Sequence, residues 1–149
     1  MKMLYLLRHG KSDWSSGASS DFDRPLNERG DKETLQMGTY MLDKGYIPDC
    51  IISSPAKRTT ETLENIVTKL SYTGEVDFRE NLYLASSEEI QKEIDLKDCD
   101  SILVIGHNPG IETLLNKIVG GYHTMKTSHL AVIDFEKKEL IDFIRPKEF

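Results

Sequence analysis

Two arginines and two histidines stand in this chain where they could hold and transfer a phosphoryl group. Arg8 and His9 follow the apolar run Met3-Leu4-Tyr5-Leu6-Leu7 and precede Gly10. Arg58 closes Ser53-Ser54-Pro55-Ala56-Lys57-Arg58 after Ile51-Ile52, and His107 follows Ile102-Leu103-Val104-Ile105-Gly106. Guanidinium forks match phosphate oxygens in pairs. A neutral imidazole nitrogen between two such forks can attack phosphorus and carry the group covalently, while a second imidazole donates to the phosphoryl oxygens. Lys11, Ser12 and Asn108 adjoin these residues and complete the candidate substrate-binding set, with Lys11 placing a cation where an acidic partner segment could meet it. A leaving group also needs a proton donor, for which Glu80, Asp13, Asp21 and Asp23 are the candidates. Zinc fits less well, because His9 and His107 have no third ligand at a recognisable spacing and Arg8 would repel the ion. Gly106-x-x-x-Gly110 lacks the Gly-Lys-Ser/Thr of a P-loop.

Each of the three motifs ends a short apolar run that reads as a buried strand. If those strands are parallel neighbours, their C-terminal ends bring the four residues into one crevice, where open α/β sheets bind ligands. Between them the sequence predicts helices. Asn27 caps a helix with Leu35, Gly38 and Leu42 on one face, ended by Gly45. Ser54-Pro55 starts a second, with a stripe of Thr59, Leu63, Ile66, Val67 and Leu70 and with Arg58 on its first turn. Ser86-x-x-Glu89 opens a third, running to about Ile94. Asn108-Pro109 starts a fourth with Ile111, Leu114, Leu115, Ile118 and Val119, ended by Gly120-Gly121. Val76-Asp77-Phe78 is a short strand, and Leu130–Phe135 with Leu140–Ile144 form a hairpin. Residues 11–26, carrying Trp14 and Phe22, read as a loop over the strand ends. This order predicts a three-layer α/β/α fold around a mostly parallel central sheet, with the C-terminal hairpin at one edge.

The chain of 149 residues with net charge −6 is long enough to bury one core and too acidic for general nucleic-acid binding. Against that background a local Arg/His cluster stands out. No apolar stretch approaches the roughly 20 residues of a membrane span, and the apolar run before Arg8 is too short for a secretory signal. Cys50 and Cys99 follow no disulfide pattern. The corresponding expectations are a reduced, cytoplasmic protein with no membrane or nucleic-acid partner, and a monomer, since no heptad pattern appears.

Taken together, these motifs resemble the histidine phosphatase superfamily, the phosphoglycerate mutase-like fold. Leu7-Arg8-His9-Gly10 matches its Arg-His-Gly signature, Ser53-Ser54-Pro55-Ala56-Lys57-Arg58-Thr59-Thr60-Glu61-Thr62 its Ser-Ser-Pro-x-x-Arg-x-x-x-Thr element, and Gly106-His107-Asn108 its second histidine element. Asp23-Arg24-Pro25-Leu26-Asn27-x-x-Gly30 and Gly106-His107-Asn108-Pro109 are similar to the short SixA-type phosphohistidine phosphatase branch. The resemblance implies a single domain over 1–149, a phospho-histidine intermediate on His9, and a phosphate pocket completed by Arg8, Arg58 and His107. It places Glu80 where larger members carry their acidic proton donor, and it implies no metal and no organic cofactor. The implied substrates are a phosphohistidine-bearing protein or a small phosphorylated metabolite. A non-catalytic phospho-ligand-binding scaffold is the alternative, disfavoured because the quartet is complete. Mutase-type phosphotransfer is a further alternative, disfavoured because the long capping inserts are absent and such a reaction must exclude water. Met125-Lys126-Thr127 lies where relatives are expected to carry Met-Pro-Thr, which marks Lys126 as a local feature of the rim. Specificity is expected in the 11–26 loop and around residues 122–128.

Overall fold

Alternation along each strand builds two cores on one sheet. The computed structural model describes residues 1–14 and 17–149. Its strands are β1 (Met3–Arg8), β2 (Cys50–Ser53), β3 (Glu75–Phe78), β4 (Ser101–Gly106), β5 (Leu130–Asp134) and β6 (Glu139–Ile144), in the spatial order β3-β2-β4-β1-β5-β6. The helices are α1 (Glu28–Lys44), α2 (Lys57–Leu70), α3 (Ser87–Asp95) and α4 (Gly110–Val119). Leu4 and Leu6 of β1 point to the face covered by α3 and α4, where they pack with Ile90, Ile94, Ile111, Leu114 and Leu115. Tyr5 and Leu7 point to the opposite face, with Met37 and Met41 of α1 and Leu63, Ile66 and Leu70 of α2. The fold is therefore the expected three-layer α/β/α arrangement. β2, β4, β1 and β3 run parallel, while β5 joins β1 antiparallel and carries the β5–β6 hairpin at the sheet edge.

Register places the motifs side by side. Arg8 pairs with Gly106, and Ser53 pairs with Ile105, so β1, β4 and β2 end at one level. Burial on both faces specifies that register, because a one-residue slip would exchange the two cores.

Two helix starts and one helix face differ from the sequence expectation. Asn27 caps α1 as expected, accepting from the Gly30 N–H at 2.8 Å, and Ser86 caps α3. Ser54 is not the cap residue: α2 starts at Lys57 with Ala56 at its N-cap, and the Ser54 hydroxyl accepts from the Ala56 N–H at 3.3 Å and from His107. Asn108 does not cap α4 either. The Asn108–Pro109 peptide is cis, α4 begins at Gly110, and the Asn108 amide reaches the Met125 carbonyl. In α1 the buried face is Thr34, Met37, Gly38 and Met41, and Leu42 is exposed. The helix is turned this way because it crosses α2 at Gly38, where a Cβ would lie 2.7 Å from that of Lys69.

The first turn of α1 also presses on the phosphate-binding candidates. Asn27 N–H donates to the Lys11 carbonyl, and a Cβ at Gly30 would lie 2.1 Å from that oxygen. Gly30→Ala is therefore expected to destabilise the fold by about 1–3 kcal/mol and to lower activity, because Lys11 immediately follows Gly10. Thermal unfolding and turnover of the variant check both; an unchanged melting temperature would show that the helix and loop separate without cost.

Candidate active site

The strand ends open into a cleft of about 360 Å³ lined by Arg8, His9, Lys11, Ser12, Arg58, His107 and Asn108, together with Asp21, Arg24, Leu84 and Thr127. All the candidates except Glu80, Asp13 and Asp23 thus converge. His9 and His107 are 6% and 2% exposed, with ring centroids 5.2 Å apart. His9 Nδ1 lies 2.7 Å from the Gly10 carbonyl, which can only accept, so Nδ1 carries the proton and Nε2 the lone pair. That lone pair faces Arg58 Nε at 3.4 Å. Arg58 Nη2 lies 3.3 Å from His107 Nδ1, which must therefore accept, leaving His107 Nε2–H to donate to Ser54 Oγ at 2.8 Å. One guanidinium faces both imidazole lone pairs.

These side chains are fixed from behind. The Thr62 hydroxyl accepts from the Gly10 N–H at 3.1 Å and donates to the Arg58 carbonyl at 2.7 Å, joining the first motif to the second. Arg8 Nη1 donates to the Met125 carbonyl at 3.0 Å. Arg58 Nη1 and Nη2 donate to the carbonyl and the carboxylate of Asp21, at 2.8 and 3.0 Å. Tyr83 donates to the same carboxylate, and its ring meets His107 edge-on.

The acid candidates separate. Asp21 alone among the four lines the cleft. Although burial opposes it, hydrogen bonds from Tyr83 and Arg58 hold the Asp21 carboxyl at about 2, so it stands as a carboxylate. Asp13 accepts from Asn27, and Asp23 from Ser19 and Ser20 in an exposed turn. Glu80 is exposed and stands outside the cleft lining: the chain after β3 enters a 3-10 turn, Glu80–Leu82, beyond which Tyr83 and Leu84 approach the site. At the other rim Thr127 lines the cleft and exposed Lys126 does not. In the 11–26 loop, Ser15 and Ser16 lie outside the described residues.

The model of the histidine phosphatase superfamily (branch 1) matches residues 4–93. The chain belongs to that superfamily. Over nearly its whole length this histidine phosphatase superfamily chain is similar to a protein from Agrobacterium tumefaciens named as the phosphohistidine phosphatase SixA. The two are 32% identical with a TM-score of 0.89, covering 96% of this chain and 97% of the other. A structure of the protein histidine phosphatase SixA complexed with tungstate, 22% identical, has a TM-score of 0.85 over 98% of both chains and shares the fold. An uncharacterized chloroplastic protein of Arabidopsis thaliana is 27% identical over 89% of this chain, which spans 66% of that protein. Family and neighbours support phosphatase-type activity. Among the described residues no helix is long and apolar enough to cross a membrane.

The cleft of this histidine phosphatase superfamily member also dictates its response to pH. Burial lowers His9 to about 3, with the Gly10 hydrogen bond opposing and the charges of His107, Arg58 and Arg8 assisting. Burial and then Arg58 lower His107 to about 3, and burial lowers His129, beneath the rim, to about 4. An unfolded imidazole titrates near 6.5. These folded values lie below it, so the stability they contribute is complete above about pH 6.5 and is lost as pH falls toward 3. Unfolding at pH 5 is expected to take up nearly one proton per histidine of this trio, each giving a slope of about 1.4 kcal/mol per pH unit. Urea unfolding at pH 7, 6 and 5 measures it; equal stabilities across that range would contradict neutral buried imidazoles.

Proposed function

We propose that this protein is a metal-independent phosphatase that carries the phosphoryl group on His9, with protein-borne phosphohistidine as its substrate. The observation that supports the mechanism best is the state of His9: neutral, with Nδ1–H held by the Gly10 carbonyl and the Nε2 lone pair free of a proton in a cleft with Arg8 and Arg58. Nε2 attacks phosphorus, forming the P–Nε2 bond as the bond to the leaving group breaks. The Gly10 carbonyl then faces the positive charge that develops on the ring. Arg8 and Arg58 stabilise the equatorial oxygens. An incoming phosphoryl dianion raises the pKa of His107, enabling its Nδ1 to take a proton and donate to a phosphoryl oxygen. Water next attacks phosphorus, breaks the P–Nε2 bond and releases phosphate.

Among the described residues no protonated carboxylic acid lines the cleft, which supports the substrate reading. Asp21, the cleft carboxylate, stays ionised down to about pH 2, and Glu80 lies outside the cleft. An alkoxide leaving group needs a proton from the enzyme. Phosphohistidine does not, because protonation of its second ring nitrogen lets it depart as neutral imidazole. Hydrolysis of a phosphohistidine-bearing protein, p-nitrophenyl phosphate and an alkyl phosphate, all in EDTA, tests this. The first two are expected to exceed the alkyl ester in kcat/KM by about 10²-fold or more, and Glu80→Gln to change none of them by more than about twofold. An alkyl ester cleaved as well as phosphohistidine would overturn the substrate reading.

A further inference from the structure

One backbone oxygen aims two residues of the cleft. The Met125 carbonyl accepts from Arg8 Nη1 at 3.0 Å and from Asn108 Nδ2 at 2.8 Å, so the ends of β1 and β4 share it. It belongs to the segment between α4 and β5, whose residues 120–129 form no helix or strand of their own. Such a segment holds its place only through its side-chain and backbone contacts. At its far end the segment is held by the end of β1, where the Ser128 N–H donates to the Arg8 and His9 carbonyls; around Met125 and His123 the contacts come from α4. Glu112 Oε1 accepts from the Met125 N–H at 2.7 Å. One turn later, Asn116 Oδ1 accepts from the His123 N–H at 2.8 Å while its Nδ2 donates to the His123 carbonyl at 3.0 Å. The Met125 side chain is wholly buried in the core beneath. Arg8 Nε, also buried, has no partner among the described residues.

We propose that Glu112 is a positioning residue: by gripping the Met125 N–H it sets the carbonyl that aims Arg8 and Asn108, with Asn116 securing the same segment one turn away. This inference rests on reading the cleft as a phosphoryl site. Glu112 touches no substrate; it acts through Met125 and, more weakly, by accepting from Asn108 Nδ2 at 3.5 Å. Its carboxylate also lies near enough to Arg8 to favour the charged guanidinium, but a guanidinium is charged at neutral pH without such help. What Glu112 uniquely provides is an acceptor oxygen at a fixed place. Glutamine retains that acceptor; alanine does not.

The test uses the full chain and the variants Glu112→Ala and Glu112→Gln. Glu112→Ala is expected to raise KM for p-nitrophenyl phosphate and Ki for inorganic phosphate together, by about 10–100-fold, the range seen when a supporting partner of a site residue is removed. kcat should fall by less than about fivefold, and Glu112→Gln should restore both constants to within about threefold of wild type. The Arg8 Nε–H signal in ¹⁵N NMR reads the aiming with no ligand present: it should shift in Glu112→Ala and stay in place in Glu112→Gln. A Glu112→Ala enzyme with unchanged KM and unchanged Arg8 signal overturns the proposal, as does a folded Glu112→Gln enzyme impaired more than tenfold. If Glu112→Ala does not fold, Glu112→Gln alone decides by its KM and Arg8 signal. A wild-type protein that neither turns over nor binds phosphate would sink the phosphoryl reading instead, and the Arg8 signal would still decide whether Glu112 sets the aim.

Discussion

His9→Ala is expected to lower turnover of p-nitrophenyl phosphate in EDTA by about 10⁴-fold or more, the scale on which loss of a covalent nucleophile is felt. No neighbouring group can substitute. His107 is the other imidazole in the cleft, but its Nε2–H is committed to Ser54 and its Nδ1 faces Arg58. Phosphate affinity should survive far better than turnover, because both guanidinium groups remain. The fold should survive too: His9 lies at the cleft floor, and its Nδ1 bonds only to the carbonyl of the next residue. The decisive companion measurement is transfer of label from substrate to protein. Wild type quenched during turnover should carry a phosphoryl group that is stable in base and labile in acid, and His9→Ala should carry none. A folded His9→Ala protein that still turns over would remove His9 from the covalent role.

The second large effect is expected at Arg58. Arg58→Ala should lower kcat/KM by about 10³-fold, since losing a single preorganised donor to a developing oxyanion costs about 10²–10³ and this change removes a whole fork. Arg58→Lys should recover only part of that loss, because an ammonium cannot span two oxygens. A spectroscopic signature separates this from general damage. Arg58 is among the charges that hold His9 and His107 at low pKa. Both imidazoles should therefore titrate at higher pH in Arg58→Ala than in wild type. Imidazole resonances followed from pH 8 to pH 3 would record it, and unmoved titrations would show that Arg58 is not felt by the pair.

The fold was legible because its signals are local. Apolar continuity in β1 and β4 and the Asn27 and Ser86 caps are all set within a few residues. The convergence of Arg8, His9, Arg58 and His107 was legible for the same reason, once each was placed at the end of a strand. What escaped depends on partners distant in the chain. Ser54 carries the sequence mark of a helix cap, and nothing near it reveals that His107, 53 residues on, takes its hydroxyl. Asn108 misleads in the same way, being drawn to a carbonyl rather than to a helix end. Asp21 was visible as a carboxylate, but not as the ion partner of Arg58. The Met125 carbonyl leaves no trace in a sequence, since every residue has one. Thr62 was the recoverable case: it stands in the same motif as Arg58, four residues on, and ties that motif to Gly10.

The Asp21–Arg58 pair bears on how the enzyme would finish its cycle. A cleft that binds phosphate tightly enough to transfer it faces product inhibition wherever inorganic phosphate is plentiful. On that reading the departing ion does not leave Arg58 bare, because a built-in carboxylate, ionised at any physiological pH, is ready to reclaim it. Release becomes an exchange of one anion for another. Free phosphate must then compete with an internal rival that is always at hand, whereas a phosphoryl group carried on a protein brings further contacts with which to displace it.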